Sequence, residues 1–172
     1  MRGRPEPQLF GVLGDPVDHS LSPAMQNAAF AALGLPHVYL RFRVSPDELP
    51  AALDEARRLG IGGLNLTVPL KEHALPLLDA VTPLARRIGA VNTVKLARGR
   101  LTGDNTDAPG FLRSLAGHVR LRGGRAVLIG AGGSARAVGA SLVEAGCDVV
   151  FFHARTSVPS TVFFSASRRH EI

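Results

Sequence analysis

The sequence predicts an α/β fold: an N-terminal, mostly parallel α/β domain followed by the start of a second unit with its own parallel strands. Three observations predict it. Short aliphatic runs alternate with helix-length segments in the order βαβαβ, with short links, which argues parallel strands joined by right-handed crossovers. Of the 172 residues 45% are hydrophobic but only 5% aromatic, the make-up of an aliphatic core between helices and sheet. A glycine cluster, Gly130 to Ala135, lies between an apolar run and a helical one and restarts the βαβ pattern.

Each element has a local reason. Residues 1 to 8 are rich in Pro and Arg and are expected to be disordered. Leu9 to Gly14 is a short apolar strand. The polar stretch Asp15 to Pro23 is a loop, with Ser22 as helix N-cap and Pro23 at the first helical position. Ala24 to Leu33 forms the helix and Gly34 stops it. Val38 to Val44 alternates, placing Val38, Leu40, Phe42 and Val44 inward and Tyr39, Arg41 and Arg43 outward. Ser45 and Pro46 open a second helix, with Asp47 and Glu48 in its first turn, running to about Leu59. Ile61 to Leu66 is the third strand. Short helical pieces follow, broken by Pro76 and Pro83. Ala90 to Leu96 and Arg100 to Thr102 are strands around an Arg98-Gly99 turn. Ala108 to Leu115 is helical. The segment Arg120 to Gly124 reads as a boundary, dividing a domain at 9–120 from a partial unit at 121–156. There Arg125 to Ile129 is a buried strand, Ala135 to Ala145 a helix, and Asp148 to Phe152 the next strand. After Thr156 the periodicity fails, and 157–172 reads as an aberrant tail.

Bulk properties narrow the function. The formal charge is +6, but the arginines are scattered and no aromatics interleave with them to stack bases. Nucleic acid is therefore not the expected partner, and attraction of an anionic substrate or cofactor accounts for the sign. The single cysteine, Cys147, cannot form an internal disulfide and reads as a small core residue. No apolar run is long enough to cross a bilayer, and no apolar core follows the charged N-terminus as in a secretory signal. A cytoplasmic protein without membrane contact is the expectation.

Two stretches carry chemistry. In Gly62 to Lys71, Asn65 and Thr67 are two apart in a strand and so share a face. Pro69 ends the strand, and Lys71 follows within a helical turn. An amide, a hydroxyl and an ammonium thus gather at a strand's C-terminal end, where open α/β sheets bind ligands. A lysine in such a place would on its own be a solvated surface residue; its neighbours single it out. The second stretch is Gly130-Ala131-Gly132-Gly133-Ser134-Ala135, which fits G-x-G-x-x-[GA] between a strand and a helix. Gly130 permits the tight turn, Gly132 a close approach of a pyrophosphate, and the small Ala135 close helix–strand packing, as in Rossmann-type dinucleotide sites. At the end of the next strand no acid stands ready for a ribose 2′-hydroxyl. Arg155 and Thr156 suit a 2′-phosphate instead, which points to NADP.

In order and spacing, the motifs His19 to Pro23, Asn65 to Lys71, Gly89 to Thr93, Gly103 to Asp107 and Gly130 to Ala135 resemble those of shikimate dehydrogenases over roughly residues 9 to 156. The resemblance implies an oxidoreductase that interconverts 3-dehydroshikimate and shikimate with NADPH or NADP, in the pathway to chorismate and the aromatic amino acids. It further implies that Ser20 and Ser22 hold the substrate carboxylate. Asn65, Thr67 and Asn92 would contact the ring substituents, and Lys71 and Asp107 would be the catalytic pair. A homodimer is compatible with it. Two alternatives stay open: a quinate/shikimate dehydrogenase using NAD, and a shikimate-binding remnant without catalysis. Family members continue well beyond this point, Ala154 stands where Asn is usual, and the tail resembles nothing in the family. The expectation is therefore a C-terminally shortened cofactor unit, marginally stable over 125–172, with weak NADP affinity and little turnover.

Overall fold

The structure, a computed structural model, describes residues 5–152. Arg155, Thr156 and the tail at 157–172 lie outside the described residues, as do residues 1–4 of the segment expected to be disordered. The elements are β1 (Leu9–Gly14), α1 (Ser22–Ala32), β2 (Val38–Arg43), α2 (Leu49–Arg58), β3 (Gly63–Leu66), α3 (Leu70–His73), a 3-10 turn at Leu75–Leu77, β4 (Ala80–Val81), α4 (Pro83–Ile88), β5 (Thr93–Ala97), β6 (Arg100–Asp104), α5 (Asp107–Leu115), β7 (Arg125–Ile129), α6 (Gly133–Glu144) and β8 (Asp148–Phe152). They build a six-stranded sheet in the order β2-β1-β3-β5-β6-β4 and a separate two-stranded sheet of β7 and β8. β1 runs parallel to β2 and β3, and β4 parallel to β6, while β5 is antiparallel to β3 and β6. β7 and β8 are parallel. The architecture is thus mixed α/β with a mostly parallel sheet, followed by a second parallel βαβ unit.

Alternation along the strands divides the core in two. Leu13, Leu64, Leu66, Val94 and Leu101 point to one face and pack with Leu49, Leu53 and Ala56 of α2 and Leu70 of α3. The α2 residues recur at intervals of four and three, one stripe of the helix. Side chains such as Leu49, Leu66, Leu70 and Leu101 are fully enclosed, and burial of each is worth about 1.5–3 kcal/mol. Val12 points to the other face and joins Val17 and Tyr39, with Phe10 and Phe30 packed alongside. A third cluster joins the two sheets: Ile88 of α4 and Ala108 of α5 meet Ala137 and Ala140 of α6. The Ser141 hydroxyl sits in this joint, 2.8 Å from the Ala137 carbonyl and 3.1 Å from that of Ala108.

Five expectations are corrected. β7, read as a buried strand, leaves Val127 and Ile129 64% and 74% exposed, because among the described residues only α6 covers its two-stranded sheet. Ser22 is not an N-cap: Leu21 occupies that position, Ser22 lies in the first turn, and the Ser20 hydroxyl accepts the Ser22 N–H at 3.3 Å. α2 begins at Leu49 rather than near Pro46, because the Glu48 carboxylate folds back onto the Ser45 N–H and hydroxyl at 2.9 and 2.8 Å and holds residues 45–48 as a turn. β2 alternates as expected, with Phe42 and Val44 packed into the main cluster, but Val38 and Leu40 lie open and Tyr39, expected outward, is 3% exposed. β2 is an edge strand, so its cover depends on which helix reaches it, and the cluster with Phe30 of α1 encloses Tyr39. β4 is too short to carry a periodic signal and was not anticipated; it extends the sheet beyond β6. The hairpin between β5 and β6 turns at Arg98 and Gly99, both left-handed at φ 52° and 71°, the two-residue loop that matches strand twist.

Candidate active site

The C-terminal ends of β1 and β3 lie side by side. The Thr67 N–H reaches the Leu13 carbonyl at 2.9 Å, and the Asp15 N–H reaches that of Val68 at 3.0 Å. Gly14 makes this possible: a Cβ there would lie 2.4 Å from Thr67 Cγ2. The loop carrying Ser20 and the start of α1 therefore leave the sheet at the same edge as Thr67 and α3. Pro69 is the N-cap of α3, so Lys71 falls in its first turn. The Lys71 carbonyl accepts the Val91 N–H at 2.7 Å, and the Leu66 N–H bonds the Asn92 carbonyl at 2.9 Å. These bonds lash α3 and β3 to the 89–93 segment.

A continuous chain of polar side chains crosses this edge. Lys71 Nζ donates to Asp107 Oδ2 at 2.6 Å, with its side chain only 13% exposed. Asp107 Oδ1 accepts from Asn92 Nδ2 at 2.6 Å. Asn92 Oδ1 in turn accepts the Thr106 N–H at 2.8 Å and the Thr93 hydroxyl at 2.9 Å. Asn65 Nδ2 donates to the Asn92 carbonyl and to Thr93 Oγ1, both at 3.2 Å, and Asn65 Oδ1 accepts the Tyr39 hydroxyl at 2.7 Å. Burial pushes the Tyr39 hydroxyl up to about 12, so it stays a neutral donor to Asn65. Asn105 fixes the loop before α5 from within: buried, it donates to the Ala90 carbonyl at 2.9 Å and accepts the Ala108 N–H at 3.3 Å.

The structure thus joins Lys71, Asp107, Asn92 and Asn65, four of the residues singled out in the sequence. Ser20, Ser22 and Thr67 stand at the same sheet edge, but none has a side-chain bond into this chain among the described residues. Tyr39, Thr93 and Thr106 belong to it and were not anticipated. Thr93 is next to Asn92 in the motif, a signal that was available; Tyr39 is the chain's only tyrosine but is brought in by strand pairing alone. Among the described residues no cluster could hold a metal ion, and no helix is long and apolar enough to cross a membrane.

The glycine turn closes one side of the site. Gly130 has φ +127°, a conformation that L side chains rarely adopt, and a Cβ there would come within 3.8 Å of Ala135 Cβ. Gly132 is the N-cap of α6 without a side-chain cap, and a Cβ on it would meet nothing within 4 Å. Open space before uncapped N–H groups at a helix start fits a dinucleotide's phosphates. Gly133 faces inward, where a Cβ would lie 3.0 Å from Lys71 Cβ. Ser134 Oγ accepts from Lys71 Nζ at 2.9 Å, and Arg136 Nη2 pairs with Glu72 Oε2 at 3.3 Å. Ala131 accepts from Arg136 Nε at 3.3 Å through its carbonyl.

Comparison with known proteins bears on this geometry. Residues 12–94 match the family model described as the shikimate dehydrogenase substrate binding domain. The shikimate dehydrogenase (NADP(+)) of Methanosarcina mazei is 55% identical over 146 residues, covering 83% of this chain and 52% of the relative. That of Moorella thermoacetica is 54% identical over 155 residues, covering 89% of this chain and 52% of its own. A crystal structure of the Thermus thermophilus shikimate 5-dehydrogenase, in complex with NADP(H) and shikimate, superposes with a TM-score of 0.80 at 52% identity, covering 85% of this chain and 56% of that one. The chain spans about half the length of the curated relatives it matches. With a substrate-domain model matching residues 12–94 and about half of its aligned residues identical, the chain is similar to the NADP(+)-dependent shikimate dehydrogenases.

Proposed function

We propose that the chain carries the shikimate-binding half of an oxidoreductase that interconverts 3-dehydroshikimate and shikimate with NADPH or NADP, acting in the cytoplasm. Residues 9–120 are the substrate-binding part and 121–156 the start of the cofactor-binding part. The observation that carries this reading is the Lys71–Asp107 pair, held at 2.6 Å beside Asn92 and Asn65 and within reach of the glycine turn. Ser20 and Ser22 hold the substrate carboxylate, and Asn65, Thr67 and Asn92 take its ring hydroxyls. NADPH, when bound, supplies the hydride; Gly130, Ala131, Gly132, Gly133, Ser134 and Ala135 would hold its phosphates, and Arg155 and Thr156 its 2′-phosphate.

The residues of this chain do the rest. Reduction of a ketone leaves negative charge on its oxygen. The Lys71 ammonium stabilises that charge and gives up a proton; in the reverse direction Lys71 takes the proton from the hydroxyl. Asp107 orients the ammonium through Oδ2 while Asn92 holds Oδ1. A carboxylate has further lone pairs, so Asp107 can also accept a substrate hydroxyl. A second reading, shikimate binding without hydride transfer, is favoured by the thinness of the described cofactor unit, where Val127 and Ile129 of β7 lie open.

Calorimetric titration with shikimate, paired with absorbance at the nicotinamide band after adding NADP, separates these readings. Saturable shikimate binding is the expected result. Turnover, where present, should fall about 10²–10⁴-fold in Lys71→Ala. Binding with no absorbance change selects the second reading, and no shikimate binding overturns both.

A further inference from the structure

We propose that Ser134, besides its place in the glycine turn, is a positioning residue for Lys71. A lysine ammonium has three N–H donors and no acceptor. Two are committed here, to Asp107 Oδ2 at 2.6 Å and to Ser134 Oγ at 2.9 Å. The two acceptors sit on different helices: Asp107 opens α5, and Ser134 lies in the first turn of α6. Between them they fix the rotation of the ammonium and leave one N–H for an oxygen of the bound substrate.

The surroundings hold Ser134 in that role. Gly133 lies against the Lys71 stem, where a Cβ would come 3.0 Å from Lys71 Cβ and 3.2 Å from Ala90 Cβ, so α6 is seated directly on α3. Two residues further on, Arg136 pairs with Glu72, the residue after Lys71, at 3.3 Å, with the arginine side chain largely enclosed. Neighbouring residues of α3 are thus gripped by residues one turn apart on α6. The Ser134 hydroxyl is in register with the ammonium because Gly133 permits the approach and Arg136 fixes the angle. As a consequence the glycine turn and the proton-transferring lysine move as one: a shift of the turn alters the aim of Lys71 as well as the phosphate cradle.

This inference rests on Lys71 being the proton-transferring group, but the contact can be tested without turnover. Lys71 and Lys95 are the chain's two lysines, and Lys95 is exposed. In protein labelled with nitrogen-15 lysine, NMR should show a Lys71 ammonium whose protons exchange with water more slowly than those of Lys95. Ser134→Thr and Ser134→Val are close in shape and differ in the hydroxyl, so any disturbance of packing is common to both. Exchange at Lys71 should rise about three- to tenfold in Ser134→Val and stay within about twofold in Ser134→Thr, as expected for one charge-assisted hydrogen bond at a partly open site. Equal exchange in the two variants, or an unsubstituted Lys71 no better protected than Lys95, overturns the proposal. Shikimate added to the same sample tests the function separately. If Lys71 does not respond to shikimate while its dependence on the Ser134 hydroxyl persists, the substrate assignment fails and the positioning role stands.

Discussion

The two sheets carry similar helices but are built to different depths. The six-stranded sheet is packed on one face by α2, α3 and α4 through a continuous aliphatic cluster and on the other around Val12, Val17 and Tyr39. The β7–β8 pair carries α6 on one side, while Val127 and Ile129 project from β7 with 64% and 74% of their surface exposed. The same strand sequence pattern that is enclosed in β1 and β3 is open in β7. The difference teaches where rigidity comes from: two strands and one helix bury too little apolar surface for independent stability, so α6 draws its support from α4 and α5 across the joint at Ile88, Ala90 and Ala108. The polar chain from Tyr39 to Lys71 sits on the thick side, and its last acceptor, Ser134, comes from the thin one.

The largest expected effect breaks this comparison directly. Leu70 is fully buried next to Lys71, and Leu70→Ala should cost about 2–5 kcal/mol and take shikimate binding with it. Leu142, buried in α6, should cost a similar amount when replaced by Ala, but locally, with shikimate binding retained. Hydrogen exchange in β1 and β3 against β7 and β8 reads the two responses separately. Were Leu142→Ala to open both sheets together, they would form a single cooperative unit.

A smaller effect tests the buried face of the thick sheet. The folded-state value of Tyr39 is raised to about 12 from an ordinary 10, so its proton is held more tightly in the folded chain. The associated stability is fully present below pH 10 and is lost as pH rises towards 12. Tyr39→Phe should remove that slope and cost about 1 kcal/mol at neutral pH for the bond to Asn65. Denaturant midpoints between pH 8 and 11.5 measure both. The smallest effect belongs to the thin sheet. Ile129→Thr should change stability by less than about 0.5 kcal/mol, since little is buried there, while reducing self-association in sedimentation.

Several features were legible in the residues because their causes are local. β1, β7 and β8 match their expected spans, being short apolar runs bounded by polar or glycine breaks. The Arg98-Gly99 turn and the Gly130 turn follow from backbone conformations that favour glycine. Lys71, Asp107, Asn65 and Asn92 were found because each stands in a motif of residue types that one chemistry requires, and the structure brings these four together. Other features had non-local causes. The exposure of Val38 and Leu40 and the burial of Tyr39 in β2 depend on which helix covers an edge strand. Ser22 lost its capping role to a hydroxyl two residues earlier, a competition that depends on the path of the whole loop. Tyr39 reaches Asn65 only because β1 pairs with both β2 and β3.

By itself, then, the sequence determined the α/β order of the elements, the breaks between them, and the set of polar residues available at the strand ends, since propensity, turn chemistry and periodicity act over a few residues. The tertiary structure alone decided that those residues, spread from Tyr39 to Ser134, become one hydrogen-bonded chain. It also decided that a serine from the glycine turn supplies the lysine with a second acceptor. Partners so far apart along the chain meet only when strand pairing and helix packing have closed the loops between them, and no local preference encodes that closure.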